Sequence, residues 1–243
     1  MFAIRTLAAL TVSAERERRV SAEPSWHRWN VWHASLTRGR PRRGTVTYHE
    51  DMTTLTERET LELYEKTGAL MRGHFRLTSG LHSDVYLQSA LVLQHPEHAA
   101  RLGETLAAPF VAARAQTVLA PAIGGILVAH EVARALGVRA LFTEREEGVM
   151  RLRRGFALTA GERCLVVEDV ITTGGSTREV VECVRSAGGD VVGVGSLIDR
   201  RGGTAAFDVK RAALATVNAT TWSPESCPLC KTGSRAVKPG SRV

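Results

Sequence analysis

The chain has 243 residues, of which 44% are hydrophobic, and its formal net charge at pH 7 is +7. This length and composition are typical of one globular domain with extensions. Residues 1–51 contribute +4 (nine Arg against five acidic residues) and residues 227–243 another +4, which leaves −1 for residues 52–226. A near-neutral body with basic ends argues against a nucleic-acid-binding protein.

No apolar run reaches transmembrane length, and the apolar residues 1–12 are followed by a charged run without a cleavage pattern. We therefore expect a soluble, cytoplasmic protein without a membrane partner. Four cysteines are too few to indicate a disulfide framework. Cys227 and Cys230 form a single CxxC pair, and because no second pair and no nearby His accompany it, the pattern does not predict a zinc site within one chain. A site shared between the tails of two chains stays an alternative.

Residues 1–51 differ from the rest of the chain, because they contain three of the four Trp and show no sustained periodicity. They are interpreted as a disordered arm or, preferably, as sequence upstream of a true start at Met52. We therefore divide the chain into this extension, a domain over residues 52–226, and a basic C-terminal tail over residues 227–243.

The domain begins with a capping box between Thr56 and Glu59, which predicts a helix that ends near Gly68. Strands and helices then alternate, as expected for an α/β fold with a parallel sheet flanked by helices. The predicted elements are two strand-like runs within 75–88, a helix over 96–113, a strand at 118–120, a turn at 121–126 leading into a helix to 136, a strand over 138–142, a protruding hairpin over 143–155, a strand over 164–167, a helix over 176–187, and strands over 191–198 and 212–217.

Residues 164–177 carry the clearest chemical pattern. An apolar strand leads to two adjacent carboxylates, Glu168 and Asp169, and then to a turn of small and hydroxylated residues before a helix. In open α/β sheets ligands bind at the carboxyl ends of strands, so residues 172–177 predict a phosphate cradle. It is not a Walker P-loop, since Gly-Lys-Ser/Thr is absent. Because carboxylates repel phosphate, the acidic pair should face sugar hydroxyls and hydrated Mg²⁺.

Residues 166–177 closely resemble the phosphoribosyl-diphosphate signature of type I phosphoribosyltransferases. The run Phe75-x-Leu-Thr-Ser-Gly-x-His-Ser-x-x-Tyr86 resembles the N-terminal signature of orotate phosphoribosyltransferases, and Asp199-Arg200 resembles that family's Asp-Arg pair. The resemblance implies a type I phosphoribosyltransferase fold with a small N-terminal hood. It also implies a Mg²⁺-dependent conversion of orotate and phosphoribosyl diphosphate to orotidine 5′-monophosphate and diphosphate, in pyrimidine synthesis.

The resemblance also assigns roles to individual residues. Glu168 and Asp169 would hold the ribose hydroxyls, and the turn at 121–126, which includes a non-proline cis peptide in many family members, would bind the diphosphate. The residues implied for phosphoribosyl diphosphate are Arg145, Glu168, Asp169, Val170, Ile171, Thr172, Thr173, Gly174, Gly175, Ser176 and Gly124. The residues implied for orotate are Thr78, Ser79, Gly80, Tyr86, Leu87, Thr172 and Arg200. No side chain is assigned as a direct metal ligand.

The chain departs from the family pattern in its mobile loop. Many relatives have Lys in place of Thr78 and of Gly124, and carry Lys and His on a loop that enters the neighbouring subunit's site. Residues 144–155 contain neither, so the catalytic role of stabilising the diphosphate would pass to Arg151 or Arg153. The family implies a homodimer in which this loop reaches the other subunit.

Two alternative functions stay open. A purine or xanthine phosphoribosyltransferase would share residues 164–177, but would leave the run 75–86 unexplained. A non-catalytic regulator that senses phosphoribosyl diphosphate and binds RNA would need a basic face, and the charge of −1 over residues 52–226 argues against one.

Overall fold

The structure is a computed structural model that describes residues 54–77, 79–200 and 205–239. The extension 1–51, with its proposed start at Met52, lies outside the described residues. So does Thr78, one of the residues predicted to contact orotate.

Helices and strands alternate along the described chain, as the sequence predicts. In order, they are α1 (Glu57–Lys66), β1 (Leu70–Arg76), β2 (His82–Leu87), α2 (Ala90–Leu93), α3 (Pro96–Ala107), a 3-10 helix (Ala108–Ala113), β3 (Thr117–Pro121), α4 (Gly125–Leu136), β4 (Arg139–Glu146), β5 (Val149–Leu152), β6 (Arg163–Ile171), α5 (Gly175–Ser186), β7 (Asp190–Asp199), β8 (Arg211–Thr216), β9 (Thr221–Trp222) and α6 (Pro228–Lys231). No helix in the described ranges is long and apolar enough to cross a lipid bilayer.

The larger sheet has six strands in the order β5-β4-β3-β6-β7-β8. The pairs β3–β4, β3–β6, β6–β7 and β7–β8 are all parallel, and only β5 runs antiparallel, beside β4. The predicted parallel sheet is therefore confirmed, and β4 and β5 form the predicted hairpin over residues 143–155.

The smaller sheet has three strands in the order β1-β2-β9 and forms the predicted hood. The two residues of β9 are too few to show an alternating pattern, so this strand is not predicted from the sequence. The C-terminal segment extends the same sheet, because the Arg76 N–H donates to Val237 O at 2.8 Å and the Val237 N–H donates to His74 O at 2.9 Å.

Several elements differ in extent from their predictions. Strand β1 begins at Leu70, five residues before the predicted run 75–88. The helix predicted over 96–113 ends at Ala107 and continues as a 3-10 helix, because Pro109 has no N–H to donate inside an α-helix. Strand β6 continues to Ile171, four residues beyond its predicted end at 167, through its pairing with β7. The acidic pair therefore belongs to the strand itself.

Hydrophobic cores cover both faces of the six-stranded sheet. On β6, Leu165 and Val167 belong to the cluster that includes α3 and α4, whereas Cys164 and Val166 belong to the cluster on the α5 side. Successive residues of a strand point to opposite faces. A strand buried on both faces must be continuously apolar, which explains the unbroken run before Glu168.

Helices α3 and α4 pack closely at Gly103, where an added Cβ would lie 2.5 Å from Glu131 Cβ and 2.8 Å from the Glu131 carbonyl carbon. Overpacking a core costs about 1–3 kcal/mol, whereas Ala gains at most about 1 kcal/mol over Gly inside a helix. We therefore predict that Gly103→Ala lowers the free energy of unfolding in urea by about 1–2 kcal/mol. Arg101→Ala, on the exposed face of α3, is the control and should change it by less than about 0.5 kcal/mol. A Gly103→Ala protein as stable as the control would contradict the close packing.

Candidate active site

The predicted site lies at the carboxyl edge of the six-stranded sheet, where two neighbouring strands stop pairing. The last Cα pair between β3 and β6 is Leu119–Val166, but β6 stays paired with β7 as far as Ile171–Asp199. The end of β6 is thus anchored on one side and open on the other. Ligands of open α/β sheets bind in such a crevice.

A cavity of about 240 Å³ opens at this edge. It brings together most of the residues predicted to bind phosphoribosyl diphosphate. Its lining consists of Arg145, Glu168, Val170, Ile171, Thr172, Thr173, Gly174, Gly175, Ser176, Thr177 and Glu179. The structure thereby places the acidic pair's first member, the turn and a guanidinium around one space, and their roles toward a ligand stay predictions.

The cradle is formed where the chain turns from β6 into α5. Gly174 precedes the helix with φ +76° and ψ 13°, a left-handed conformation that glycine adopts without steric cost. The first N–H groups of an α-helix have no acceptor within the helix, and they carry the positive end of its dipole. Since residues 175–177 open α5 and line the cavity, this end of the cavity suits a phosphate group. Arg178 holds the turn in place by donating to Thr173 O at 2.7 Å.

Glu168 is buried, with 7% of its surface exposed. Burial raises the pKa of Glu168 to about 9, and the negative charge of the neighbouring Asp169 adds to the rise. In the protein without ligand the Glu168 carboxyl is therefore protonated at neutral pH. A cation or several hydroxyl donors at this place would favour its ionised form.

Two glycines let the turn after β3 pack closely beside the acidic pair. A Cβ on Gly124 would lie 2.9 Å from Asp169 Oδ1, whereas a Cβ on Gly125 would lie 2.7 Å from Ala120 Cβ and at an ordinary contact distance of 3.5 Å from Glu168 Oε1. Both glycines belong to the turn at 121–126 that was predicted to bind the diphosphate, and Gly124 was also predicted as an individual site residue. The turn that carries them contains the cis peptide Ala122–Ile123, the feature that the family resemblance suggested for this turn.

Arg145 lies on β4, and its side chain lines the cavity. Its Nη1 lies 2.7 Å from Glu179 Oε2 and donates to Gly148 O at 2.9 Å. Glu179, on α5, was not predicted from the sequence, because only the packing of the β4–β5 hairpin against α5 through β5 brings the two side chains together.

Arg151 and Arg153 lie on the hairpin strand β5 and its end. Both approach Glu146, at 3.7 Å from Arg151 Nε and 3.2 Å from Arg153 Nε. As far as the described residues show, the lining of the 240 Å³ cavity includes Arg145 but neither Arg151 nor Arg153. The roles predicted for these two side chains are not tested by the arrangement within one chain.

The residues predicted for orotate come from the hood and from the end of β7. Arg200 Nη2 donates to Ser83 Oγ at 3.1 Å, and Ser83 donates in turn to Thr220 O at 3.0 Å. Ser83 belongs to the N-terminal signature but was not singled out, and it is the contact that joins β2 to the Asp-Arg pair. On β2, Tyr86 packs against Phe75 with 5.7 Å between ring centroids.

The other residues predicted for orotate lie at both ends of the same hairpin and in the cradle. Leu87 is the last residue of β2, and Ser79 and the positive-φ Gly80 belong to the exposed turn between β1 and β2. Thr172 lines the cavity.

The expectation that no His accompanies the CxxC pair is wrong. His74 on β1 and His82 on β2 lie beside Cys227 and Cys230, and the four candidate ligand atoms are all within 4.8 Å of one another. The hydrogen-bonded contact of the C-terminal segment with β1 brings together residues 153 positions apart. Sequence separation was therefore a poor guide to their proximity.

The chain matches proteins of one family in sequence and in structure. A family model described as a phosphoribosyl transferase domain matches residues 94–222. The chain is 57% identical over 188 residues to orotate phosphoribosyltransferase of Desulforamulus reducens, and this alignment covers 77% of this chain and 98% of that protein. It is also 57% identical over 188 residues to orotate phosphoribosyltransferase of Pelotomaculum thermopropionicum, which covers 77% of this chain and 99% of that protein. The crystal structure of orotate phosphoribosyltransferase from Aeropyrum pernix has a TM-score of 0.53 at 29% identity, covering 64% of this chain and 92% of that one.

The raised pKa of Glu168 predicts a pH-dependent cost to stability. In the unfolded chain a Glu loses its proton near pH 4.5, whereas folded Glu168 keeps it until about pH 9. Between these values the unfolded state binds fewer protons, so the stability of the folded protein falls as pH rises. Glu168→Gln has no proton to lose, and we expect its advantage over the natural protein in urea unfolding to be at least about 1 kcal/mol larger near pH 8.5 than near pH 5.

The control for this experiment is Glu182→Gln, which alters an exposed acid on α5. Its effect on the free energy of unfolding should be nearly the same at both pH values. An advantage of Glu168→Gln that does not grow with pH would show that the natural carboxyl ionises without penalty.

Proposed function

The chain belongs to the orotate phosphoribosyltransferase family, and from this premise we propose that it converts orotate and phosphoribosyl diphosphate to orotidine 5′-monophosphate and diphosphate. This reaction is a step of pyrimidine nucleotide synthesis, and we place it in the cytoplasm. One observation in the structure carries the proposal: Glu168, the cradle and Arg145 line one crevice, and the Arg200–Ser83 contact brings the hood to the end of the neighbouring strand β7.

In the proposed reaction a ring nitrogen of orotate attacks C1′ of the ribose while the bond from C1′ to the diphosphate breaks. Residues 172–177 would hold the 5′-phosphate through backbone N–H groups and hydroxyls. Glu168 and Asp169 would accept hydrogen bonds from the ribose hydroxyls and place negative charge near the positive charge that develops at C1′. Because orotate supplies its own nucleophile, the protein contributes positioning and electrostatics.

The site suits Mg²⁺ by the chemistry of its donors. Two adjacent carboxylates, one of them buried with a raised pKa, gain stability from a nearby divalent cation, and Mg²⁺ commonly keeps several of its waters. We propose that Glu168 and Asp169 face the hydrated ion while the diphosphate supplies direct ligands. When bound, Mg²⁺ would neutralise the charge on the leaving diphosphate.

The base specificity of the proposal rests on the hood. Arg200 is tied to β2 through Ser83 at 3.1 Å, and a guanidinium suits the carboxylate that distinguishes orotate from uracil and from purines. The alternatives of a purine or xanthine phosphoribosyltransferase and of an RNA-binding regulator gain no support, because the sequence relatives described above are orotate phosphoribosyltransferases.

We propose further that the protein is a homodimer in which the β4–β5 hairpin, residues 144–155, enters the neighbouring subunit's site. Arg151 and Arg153 are about half-exposed on this hairpin, so they are free to leave their contacts with Glu146 for a diphosphate. Exposed ion pairs of this kind contribute only about 0–1 kcal/mol.

We predict that Asp169→Asn lowers turnover at least about tenfold, because it removes a charge at the ribose while leaving the shape of the site. Turnover is measured as the loss of orotate absorbance with phosphoribosyl diphosphate and Mg²⁺, and hypoxanthine, xanthine and uracil are run in parallel. Asp208→Asn is the control, since Asp208 is an exposed acid that pairs with Arg185 on the surface. Near-normal turnover of Asp169→Asn would remove the acidic pair from the mechanism, and activity on a purine alone would overturn the assignment of orotate.

A mixing experiment tests the shared site. If Arg151 or Arg153 acts across a dimer, the double variant Arg151→Ala/Arg153→Ala and the variant Asp169→Asn are each impaired in different parts of the site. Mixed dimers then contain one complete site, and an equal mixture after subunit exchange should recover about a quarter of the natural activity. A mixture that stays as inactive as its components would place the two arginines in their own subunit's site.

A further inference from the structure

A cluster of two imidazoles and two thiols lies in the hood, away from the cavity at the end of β6. His74 Nε2 is 2.9 Å from His82 Nδ1 and 3.5 Å from Cys227 Sγ. Cys230 Sγ is 3.8 Å from His74 Nε2 and 3.3 Å from His82 Nδ1. Each residue therefore directs one potential ligand atom toward a common centre.

These separations are close to those of a tetrahedral zinc site. With Zn–N near 2.05 Å and Zn–S near 2.3 Å, tetrahedral angles place two nitrogens about 3.4 Å apart and a nitrogen and a sulfur about 3.6 Å apart. Three of the four nitrogen–sulfur separations, at 3.5, 3.8 and 3.3 Å, lie on both sides of the second value, and all four ligand atoms lie within 4.8 Å of one another. The two nitrogens at 2.9 Å would need to separate by a few tenths of an ångström around an ion.

A hydrogen bond outside the cluster orients one of the rings. His74 Nδ1 is 3.1 Å from the backbone oxygen of Ser234 and 3.2 Å from Ser234 Oγ, and a proton on Nδ1 satisfies the carbonyl, which can only accept. The lone pair of the neutral ring is then on Nε2, which faces the cluster. Metal-binding histidines commonly donate their other N–H to a carbonyl or carboxylate in this way.

The cluster is also enclosed. Cys227 is 0% exposed, His74 and His82 are each 7% exposed, and Cys230 is partly buried. A disulfide between the two cysteines would leave unexplained why two imidazole nitrogens converge on the same point. Two thiolates would balance the charge of a divalent cation, and burial makes such a neutral site favourable.

From this geometry we propose that His74, His82, Cys227 and Cys230 bind a structural zinc ion within a single chain. Two nitrogens and two sulfurs in a tetrahedral arrangement are a typical donor set for zinc, and a site closed by four protein ligands has no position for a substrate.

The ion would fasten the C-terminal segment to the hood. Helix α6 has four residues and β9 has two, and such short elements are not stable without tertiary contacts. Cys227 and Cys230 belong to the start of α6, while the histidines belong to β1 and β2, so one ion would link all three elements. Metal binding to a site formed only in the folded state stabilises that state.

The site also borders the turn that carries predicted orotate contacts. His82 begins β2 directly after the exposed turn that contains Ser79 and Gly80, so an ion at His82 would restrain one end of that turn. This consequence rests on the proposed function, whereas the metal site itself does not.

The first test measures metal in the full-length protein purified under reducing conditions without chelator, by plasma mass spectrometry. We expect about one zinc per chain, and expect Cys230→Ser to lose at least about nine-tenths of it. Cys183→Ser is the matched control, since Cys183 is a free, half-buried cysteine on α5, and it should retain the metal. A natural protein that holds no zinc even after zinc is added, or a Cys230→Ser protein that keeps it, would overturn the proposal, as would iron in its place.

The second test needs no variant, so it also decides the matter if Cys230→Ser fails to fold. The natural protein is stripped with a chelator, and thermal unfolding is followed before and after zinc or cobalt(II) is added back. We expect the melting temperature to fall on stripping and to recover with zinc, and expect cobalt(II) to give the absorption of tetrahedral sulfur-containing coordination. An unchanged melting temperature with octahedral cobalt(II) absorption would contradict the site. Both readouts are independent of orotate turnover, so loss of the proposed activity would leave this test intact.

Discussion

The rest of the site depends on one electrostatic constraint, which is the placement of two adjacent carboxylates in a partly buried crevice. Burial and the charge of Asp169 raise the pKa of Glu168 to about 9. The two carboxylates are therefore stable in their ionised form only when hydroxyls or a cation face them. The surroundings reflect this need. Gly124 lies where a side chain would clash with Asp169, and the positive end of α5 and Arg145 line the cavity beside Glu168, where the proposed function places the phosphate oxygens.

The six-stranded sheet fixes the position of the two carboxylates. Because β6 is covered on both faces by hydrophobic cores and stays paired with β7 beyond its last contact with β3, its final residues cannot relax away from the crevice. The proposed catalysis requires such rigidity, since positioning contributes only if the carboxylates and the cradle keep their separation when the substrate binds.

In the proposed function, the hood supplies the part of the site that distinguishes one base from another. It reaches the end of β7 through the contact between Arg200 and Ser83, and its own strands are joined to the C-terminal segment at Val237 and at the histidine–cysteine cluster. A structural ion there would stiffen this small, three-stranded sheet. It would thereby restrain the turn that is proposed to bind the base. The C-terminal segment is then part of the architecture on which the proposed specificity depends.

The sequence by itself determined the features that contiguous residues encode. The capping box of α1, the parallel sheet, the hairpin over 143–155 and the acid pair with its cradle each depend on neighbours within about a dozen positions. The sequence misjudged the extent of α3 and β6, because Pro109 and the pairing with β7 act at the element ends. Only the tertiary structure decided that Glu179 meets Arg145, that Ser83 meets Arg200, and that two histidines meet Cys227 and Cys230. Those contacts join residues that are distant along the chain, and only the packing of whole elements brings them together.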